Sequence, residues 1–311
     1  MSRKSMTYIG MAVVAAASAM LTSCFTGIES TPKITASDVR RENIKETPEQ
    51  RFTSDISGEP PGEWKPGKLF YVTDNRLTTL MGPGADRSGS LRGSRISFAG
   101  FSPEISITGD SVTDINFSDG KGNTLRYRAD VSPEALRGRN SFEIPFTIEE
   151  SVIDEVGRRM KGNTYYVMTS MWYDAADQSM TGLKYVPVTV EKVIEGNTVY
   201  PVKLILRTED GHLFRLFMSV GSNLKAPRGF ASLFSMTDPK LRYPSITDAN
   251  WRNIIHGRVA EGMTRDECRL SLGSPARISR RNDRSYMYEM WHYENGVYLV
   301  FQDGLLTNFR R

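Results

Sequence analysis

The sequence predicts an α+β fold with several domains, and three observations lead to this prediction. Short runs of β-branched and aromatic residues, separated by turn residues, recur between residues 63 and 221, and such runs are typical of antiparallel strands. Capping patterns at Thr147 and Thr264 predict helices. The length of 311 residues leaves room for two or three domains. We therefore expect two tandem small β-rich modules of the SH3-like barrel type, followed by a domain of two helices on a three-stranded antiparallel sheet.

The composition excludes several classes of protein. Hydrophobic residues make up 39% of the chain and charged residues 24%, so the chain can bury real cores, and disorder or a coiled coil is a poor explanation. One long apolar run is present, near the start of the chain, which excludes a polytopic membrane protein. The net charge of +4 is far below what a nucleic-acid-binding surface requires, so we expect no nucleic-acid partner.

Residues 1–23 are predicted to be a lipoprotein signal peptide. A short cationic start precedes an uncharged apolar run over residues 6–20, and this run is too short to span a bilayer stably. It ends in Leu21-Thr22-Ser23-Cys24, which resembles the bacterial lipobox, and the resemblance implies acylation of the Cys24 thiol. An ordinary cleaved signal followed by an accidental cysteine is the alternative.

Lipid on Cys24 would attach the protein to a membrane, because several acyl chains together anchor firmly. Phe25 and Thr26 follow the cysteine, so no acidic retention signal is visible. Known sorting rules then favour the outer membrane, with the protein facing the periplasm. Loss of the signal also removes Arg3 and Lys4, so the mature chain is close to neutral and its charge says little about a partner.

The mature chain begins with a predicted flexible tether over residues 24–62, which is poor in large apolar groups and rich in proline. The first β-rich module is predicted over residues 63–140, with strands at Lys68–Thr73 and Ser111–Phe117. A hairpin turn at Asp119-Gly120 leads to a further strand.

The second β-rich module is predicted over residues 141–221. Thr147 can cap a helix while Glu150 reaches back, and apolar residues from Ile148 to Met160 follow at helical spacing. The strands predicted after this helix are Tyr165–Met171, Val186–Val193, Val199–Leu206 and Leu213–Val220.

The two modules resemble each other in sequence. One matching pair of runs aligns Gly67, Phe70, Tyr71 and Val72 with Gly162, Tyr165, Tyr166 and Val167. A second pair aligns Gly109, Val112, Ile115 and Phe117 with Gly196, Val199, Val202 and Leu204. These matches indicate an internal duplication, which favours a binding scaffold over a catalyst. Two unrelated hairpin pairs with common turn chemistry are the alternative.

A linker is predicted over residues 222–244, before a C-terminal domain over residues 245–311. Thr247–Ile255 is predicted as a helix. A second helix begins after Thr264, with Glu267 completing a capping box, and ends at Gly273, which places Cys268 on the inner face. Three strands follow, at Tyr286–Tyr293, Val297–Gln302 and Leu305–Arg310.

This C-terminal segment resembles a known family through three short runs: Gly262-Met263-Thr264, Leu272-Gly273-Ser274-Pro275, and Leu299-Val300-Phe301 with Asp303-Gly304-Leu305. It is similar to the SmpA/OmlA family, the small lipoproteins of the outer-membrane β-barrel assembly machinery. The resemblance implies two helices packed on a three-stranded sheet, a fold similar to β-lactamase inhibitor proteins, and protein binding without catalysis. Cys268 stands where the family usually carries an aliphatic residue, which fits a buried thiol.

No pattern of catalytic or metal-binding residues stands out in the sequence. His212, His256 and His292 are far apart and lack metal-ligand spacing. Asp154 and Glu155 point apart on a helix, which disfavours an acid/base pair. We therefore expect no enzyme, no metal and no cofactor; a hydrolase assembled from distant segments is the weakest alternative.

Two groups of residues are candidates for an interaction surface. Arg277, Arg280, Arg281 and Arg284 lie in or beside a predicted loop, where they can contact an acidic partner or anionic lipid headgroups; an ordinary solvated loop is the alternative. Tyr288, Trp291 and Tyr293 lie in one predicted hairpin, where aromatic residues serve either binding or core packing.

The function that the sequence predicts is a non-enzymatic, membrane-anchored scaffold that binds an envelope protein, in outer-membrane assembly or maintenance. The alternative is a carbohydrate- or peptidoglycan-binding lipoprotein, whose glycan site would lie around Trp172 and Tyr173 in the second module.

Overall fold

Three antiparallel sheets form the framework of this computed structural model, which describes residues 46–82, 89–222, 227–282 and 287–310. The fold is α+β, with most of its regular structure in strands and with a few short helices, as the sequence predicts. Residues 47–311 make up one compact unit, so the three sheets belong to one body.

The first sheet has five strands in the order β4-β3-β2-β1-β5. Alternating side chains place Phe70, Phe117 and Leu125 in its core, as expected for strands with one buried face. The strands are β1 (Leu69–Val72), β2 (Arg95–Ile105), β3 (Ser111–Ser118), β4 (Thr124–Ala129) and β5 (Thr147–Glu149).

The second sheet has seven strands in the order β12-β6-β9-β10-β11-β7-β8. Its core contains Val190, Leu204, Leu206 and Phe214. The strands are β6 (Thr164–Val167), β7 (Met171–Tyr173), β8 (Ser179–Thr181), β9 (Val186–Glu195), β10 (Val202–Thr208), β11 (Leu213–Met218) and β12 (Phe234–Ser235).

The third sheet has four strands in the order β13-β14-β15-β16. The prediction of three strands was therefore wrong, because the segment expected to be an arginine-rich loop extends and pairs with β14 over six residues. The strands are β13 (Arg277–Asn282), β14 (Met287–His292), β15 (Tyr298–Gln302) and β16 (Leu305–Arg310).

The helices are short and connect or cover the sheets. They are α1 (Pro48–Arg51), α2 (Leu77–Leu80), α3 (Pro133–Arg137), α4 (Glu150–Met160), α5 (Phe230–Leu233), α6 (Asp248–Ile255) and α7 (Arg265–Leu272).

Helix α4 begins later than the sequence predicts. Thr147 lies in strand β5 and donates its hydroxyl to the Ile144 carbonyl at 2.9 Å, so it does not cap the helix. The buried face of α4 carries Val152, Val156 and Met160, which belong to the core of the second sheet. The helical spacing of the apolar residues predicts this buried face, but the first of these residues, Ile148, lies in strand β5.

The predicted flexible tether and the predicted linker both contain segments of the folded unit. In the predicted tether, residues 47–62 contain α1, and Ile56 is buried in the core of the second sheet. In the predicted linker, residues 222–244 contain α5 and β12, with Phe230 and Phe234 buried. The sparse large apolar residues in both segments thus serve as packing anchors.

The loop between β8 and β9 holds the C-terminal helices against the second sheet. The Lys184 ammonium donates to the carbonyl oxygens of Leu270, at 2.7 Å, and of Ser271, at the end of α7. The Tyr185 hydroxyl donates to the same Leu270 oxygen at 3.0 Å, and its ring packs on Trp251. Burial lowers the pKa of Lys184 to about 8.

Candidate functional site

The C-terminal sheet has one covered face. Trp291, Leu299, Phe301 and Leu306 are buried on this face, in the same core as residues of α6 and α7. Cys268 is fully buried there as a free thiol, and burial, followed by the nearby Glu267 charge, raises its pKa to about 12. This face is filled by its own helices.

The opposite face of the sheet, called the open face below, carries the side chains that alternate with this core. Met290 on β14 pairs with Val300 on β15 and is 37% exposed. A cavity of about 420 Å³ lies beside them, lined also by Tyr288 and Arg281. The register and alternation place the following residues on the open face: Arg277, Ser279, Arg281, Tyr288, Met290, His292, Tyr298, Val300, Gln302 and Arg310.

Strand β13 is an edge strand with exposed arginines. It pairs with β14 on one side, and Arg277, Arg280 and Arg281 are all exposed. Arg277 and Arg281 lie on the open face, whereas Arg280 pairs with Glu289 and lies on the helix side.

Glu289 is a buried carboxylate that orients two of the arginines. Arg280 Nε lies 2.8 Å from its Oε2 and Arg265 Nη1 lies 3.4 Å from the same oxygen, while Trp291 Nε1 donates to Oε1. Burial alone would raise the pKa of Glu289, but the hydrogen bonds from Arg280 and Trp291 and the two arginine charges hold it below its usual value. The carboxylate is therefore ionised, and its partners are groups of the protein itself.

A polar cavity of about 380 Å³ adjoins this carboxylate. Arg265, Arg269 and Arg280 line it together with Asp266 and Glu289. Arg269 lies with its guanidinium 5.0 Å from the centre of the Trp291 ring, and its nearest carboxylate, Asp266, is 3.4 Å away and 80% exposed. Three guanidinium groups thus face a cavity with one buried and one solvated carboxylate.

Local sequence fixes the positions of the two helix arginines. The Thr264 hydroxyl accepts from the Glu267 amide at 3.3 Å, and the Glu267 carboxylate accepts from the Thr264 amide at 2.6 Å, which confirms the predicted capping box. Helix α7 starts at Arg265, so Arg265 and Arg269 are four residues apart and lie on one face.

The structure separates the predicted interaction residues into two groups. Arg277, Arg280, Arg281 and Tyr288 lie at or near the surface. Trp291 is completely buried against Phe301, with ring centres 4.8 Å apart, so its prediction as a contact residue was wrong. Tyr293 is half-buried and donates to the Gly273 carbonyl at 3.2 Å; it serves packing as well. Cys24 and Arg284 lie outside the described residues.

Sequence reasoning missed Arg265, Arg269 and Glu289. The spacing of the two arginines after a capping box was a usable signal, since it places both on one helix face beside the sheet. Glu289 alternates with Trp291 in a strand, so a charged residue at a core-facing position was visible. Its partners come from two other elements, which only the tertiary structure brings together.

Another charged cluster joins β1 to α4. The Lys68 ammonium lies 2.8 Å from Glu59, 2.7 Å from Glu149 and 3.2 Å from the Ser151 hydroxyl, beside a cavity of about 830 Å³. The contacts with Glu59 and Ser151 are hydrogen bonds, and the contact with Glu149 is an ion pair. The cluster connects three chain segments, and this structural role accounts for its charged residues.

Of the two residues named for the predicted glycan site, Trp172 is buried in the core of the second sheet and Tyr173 is partly buried. Trp172 is 3% exposed and stacks on Phe214, with ring centres 3.6 Å apart. Tyr173 packs edge-on against Phe217. Because sugar binding requires an accessible ring face, Trp172 is not a contact residue for a glycan.

Among the residues that the structure describes, no group of three or more His, Cys, Asp or Glu side chains is placed to hold a metal ion. Comparison with protein-family models, with curated proteins and with solved structures finds no match for this chain. In the described part of the chain, no helix is long and apolar enough to cross a membrane.

Proposed function

We propose that this protein is a lipid-anchored, non-enzymatic scaffold of the cell envelope that binds another protein through the open face of its C-terminal sheet. The anchor is the acylated Cys24, and outer-membrane assembly or maintenance is the proposed setting, facing the periplasm. The resemblance of residues 245–311 to the SmpA/OmlA family supports this setting.

The observation that carries the proposal is the composition of the open face. Its centre is apolar, at Met290 and Val300, and Arg277, Arg281 and Arg310 lie at its margins. Among the described elements, the two C-terminal helices cover only the opposite face of this sheet. An apolar centre within a polar rim is the usual anatomy of a protein-binding surface.

The proposed binding is tested by photo-crosslinking in the native cells. A photoreactive amino acid in place of Met290 should give a discrete protein adduct. The same replacement at Leu80, which is 41% exposed on α2 and matches Met290 in size and exposure, should give none. The captured protein, once purified, should bind the wild-type chain and lose affinity for a Met290→Asp variant. Recovery of glycan alone, or equal capture from both positions, would overturn the proposal.

The proposed anchor has a separate test. Cys24→Ser should abolish both incorporation of labelled fatty acid and membrane attachment, because no other thiol precedes Cys268. Labelled fatty acid in the Cys24→Ser chain would exclude Cys24 as the acylation site.

We further propose that the first two sheets are duplicated copies of one SH3-like barrel module. The strand order β4-β3-β2-β1-β5 has its counterpart in β11-β10-β9-β6-β12, and a short helix, α3 or α5, precedes the last strand of each set. The strands β7 and β8 are an addition to the second copy.

Equivalent hydrogen bonds support the duplication. Gly67 and Gly162 both have positive φ, and each donates at 2.8 Å to the next strand, to Phe98 and to Val190 respectively. The registers then align Phe117 with Leu206, two residues beyond the predicted match with Leu204. The predicted pairing of the hairpins was thus displaced, because the β9–β10 hairpin is shorter than the β2–β3 hairpin.

An experimental structure tests the duplication. Superposition of β1–β4 on β6 and β9–β11 should place Phe70 over Tyr165 and Leu125 over Phe214, all of which are buried. A fit that requires a one-residue shift would contradict it, since such a shift turns every side chain to the other face.

A further inference from the structure

The two edges of the C-terminal sheet differ in accessibility. Along β16, Gly262 donates to the Leu306 carbonyl and Leu306 donates to the Met263 carbonyl, both at 2.8 Å, and Thr264 bridges to Leu305. The first two residues of this edge are therefore paired with the chain itself. Along β13, the described residues supply a hydrogen-bonded neighbour on the β14 side alone. Within the described ranges of the chain, the outer backbone groups of β13 are therefore available to another strand.

The charges on β13 select which strand can be added. Arg277, Arg280 and Arg281 are exposed within five residues, so a second copy of this edge would place like charges opposite one another and is disfavoured. An extended segment with carboxylates opposite these positions would gain cross-strand pairs. Charge complementarity thus favours an acidic segment and disfavours self-association.

Successive side chains of an added strand would point alternately to the helix side and to the open face of the sheet. Both sides offer contacts for these side chains. A residue opposite Arg280 would point to the helix side, where Arg280, Arg265 and Arg269 line the 380 Å³ cavity. Arg265 and Arg280 share the single Glu289 carboxylate. The positive charge of the three arginines at this cavity therefore exceeds the negative charge of its one buried carboxylate.

A residue opposite Ser279 would point to the open face. It would extend the row formed by Ser279, Met290 and Val300, which borders the 420 Å³ cavity. An apolar side chain fits this position. A residue opposite Ile278, which is 39% exposed on the helix side, is likewise best apolar.

We propose that β13 accepts an extended acidic segment of the partner as a fifth strand, with carboxylates opposite Arg277, Arg280 and Arg281 and apolar side chains opposite Ile278 and Ser279. This inference rests on the proposed protein-binding function of the C-terminal sheet and names the chemistry of the partner. Backbone hydrogen bonds supply the pairing, and the order of acidic and apolar residues supplies the register.

The experiment uses the chain from residue 24 onward with Cys24→Ser, together with a labelled synthetic peptide, Thr-Thr-Glu-Glu-Val-Val-Glu-Thr-Thr, which has the predicted order for an antiparallel strand. Fluorescence anisotropy should show saturable binding that weakens with added salt, because exposed charges are screened. A peptide with Gln for every Glu should bind at least about tenfold more weakly. Two further peptides are N-methylated at alternate residues, one at the odd and the other at the even positions. Only the peptide whose methylated amides face β13 should lose binding.

Matched protein variants complete the test. The double variant Arg277→Glu with Arg281→Glu should bind the acidic peptide at least about tenfold more weakly. The double variant Lys161→Glu with Lys192→Glu, two exposed charge reversals at the end of α4 and on β9, should change affinity less than about twofold. Circular dichroism and urea unfolding establish that each variant is folded.

Several outcomes would overturn the inference: equal binding of the Gln peptide, equal binding of the two N-methylated peptides, or equal losses in the β13 double variant and in the control double variant. Failure of the peptide to bind while Met290 still captures a protein would reject the added strand but leave the proposed function standing. Absence of both would reject the two together.

Discussion

Substitution of Lys184 tests how the C-terminal helices are held to the second sheet. Its ammonium is removed from water and donates to the last carbonyl oxygens of α7, and burial lowers its pKa from 10.5 to about 8. Between these two values the unfolded chain binds more protons than the folded chain, so the free energy of unfolding rises with pH. Each pH unit contributes about 1.4 kcal/mol.

The expected gain for the wild-type chain is about 2 kcal/mol between pH 7 and pH 9.5, since the titration begins near pH 8 in the folded state. Lys184→Met keeps the apolar stem and removes the titrating group, so this gain should disappear. The quantity compared is the difference in unfolding free energy between the variant and the wild type. The contributions of all other titrating groups cancel in this difference.

Urea unfolding followed by tryptophan fluorescence measures this difference at several pH values. Lys192→Met, which removes an exposed lysine from β9 of the same sheet, is the matched control and should follow the wild-type curve. Parallel pH dependences for wild type and Lys184→Met would refute the reasoning, because they would mean that burial does not change the proton affinity of Lys184.

Three further predictions concern single sites. Gly182→Ala should lower the unfolding free energy by about 1–3 kcal/mol in urea titrations, because a Cβ at this position overlaps the Trp172 ring; an unchanged midpoint would contradict the packing described. Cys268 should react with a thiol reagent at pH 8 only after unfolding, because burial raises its pKa to about 12; rapid labelling of the native chain would disprove its burial. Thr264→Ala should cost about 1 kcal/mol, measured by the same unfolding assay, through loss of the helix cap, whereas Thr264→Ser should restore most of it.

Local patterns in this sequence predicted local structure well. The capping box at Thr264 and the hairpin turn at Asp119-Gly120 each specify a backbone conformation through neighbouring residues, and both occur in the structure. The alternation in Tyr298–Gln302 likewise places Leu299 and Phe301 in the core. These features depend on contacts within a few residues, which a sequence displays directly.

The errors arose where long-range contacts determine the outcome. Arg277–Asn282 has five polar residues in six and resembles a loop, but pairing with β14 and the Glu289 carboxylate make it a strand. Trp291 resembles an exposed aromatic contact until helix α7 is placed over it. The arginine cavity combines residues of α7, β13 and β14. The spacing of these residues along the chain does not predict that they lie together.

The closing strands of the first two sheets have a consequence for folding kinetics. Most strands pair with their neighbours in the chain, but β5 returns to β1, where Glu149 pairs with Phe70, and β12 returns to β6, where Phe234 pairs with Val167. Hairpins form early because their loops are short, whereas such distant pairings carry a large loop-closure entropy. We expect the docking of β5 and β12 to be late steps, so each sheet would expose the edge of its first strand until the chain beyond it has arrived.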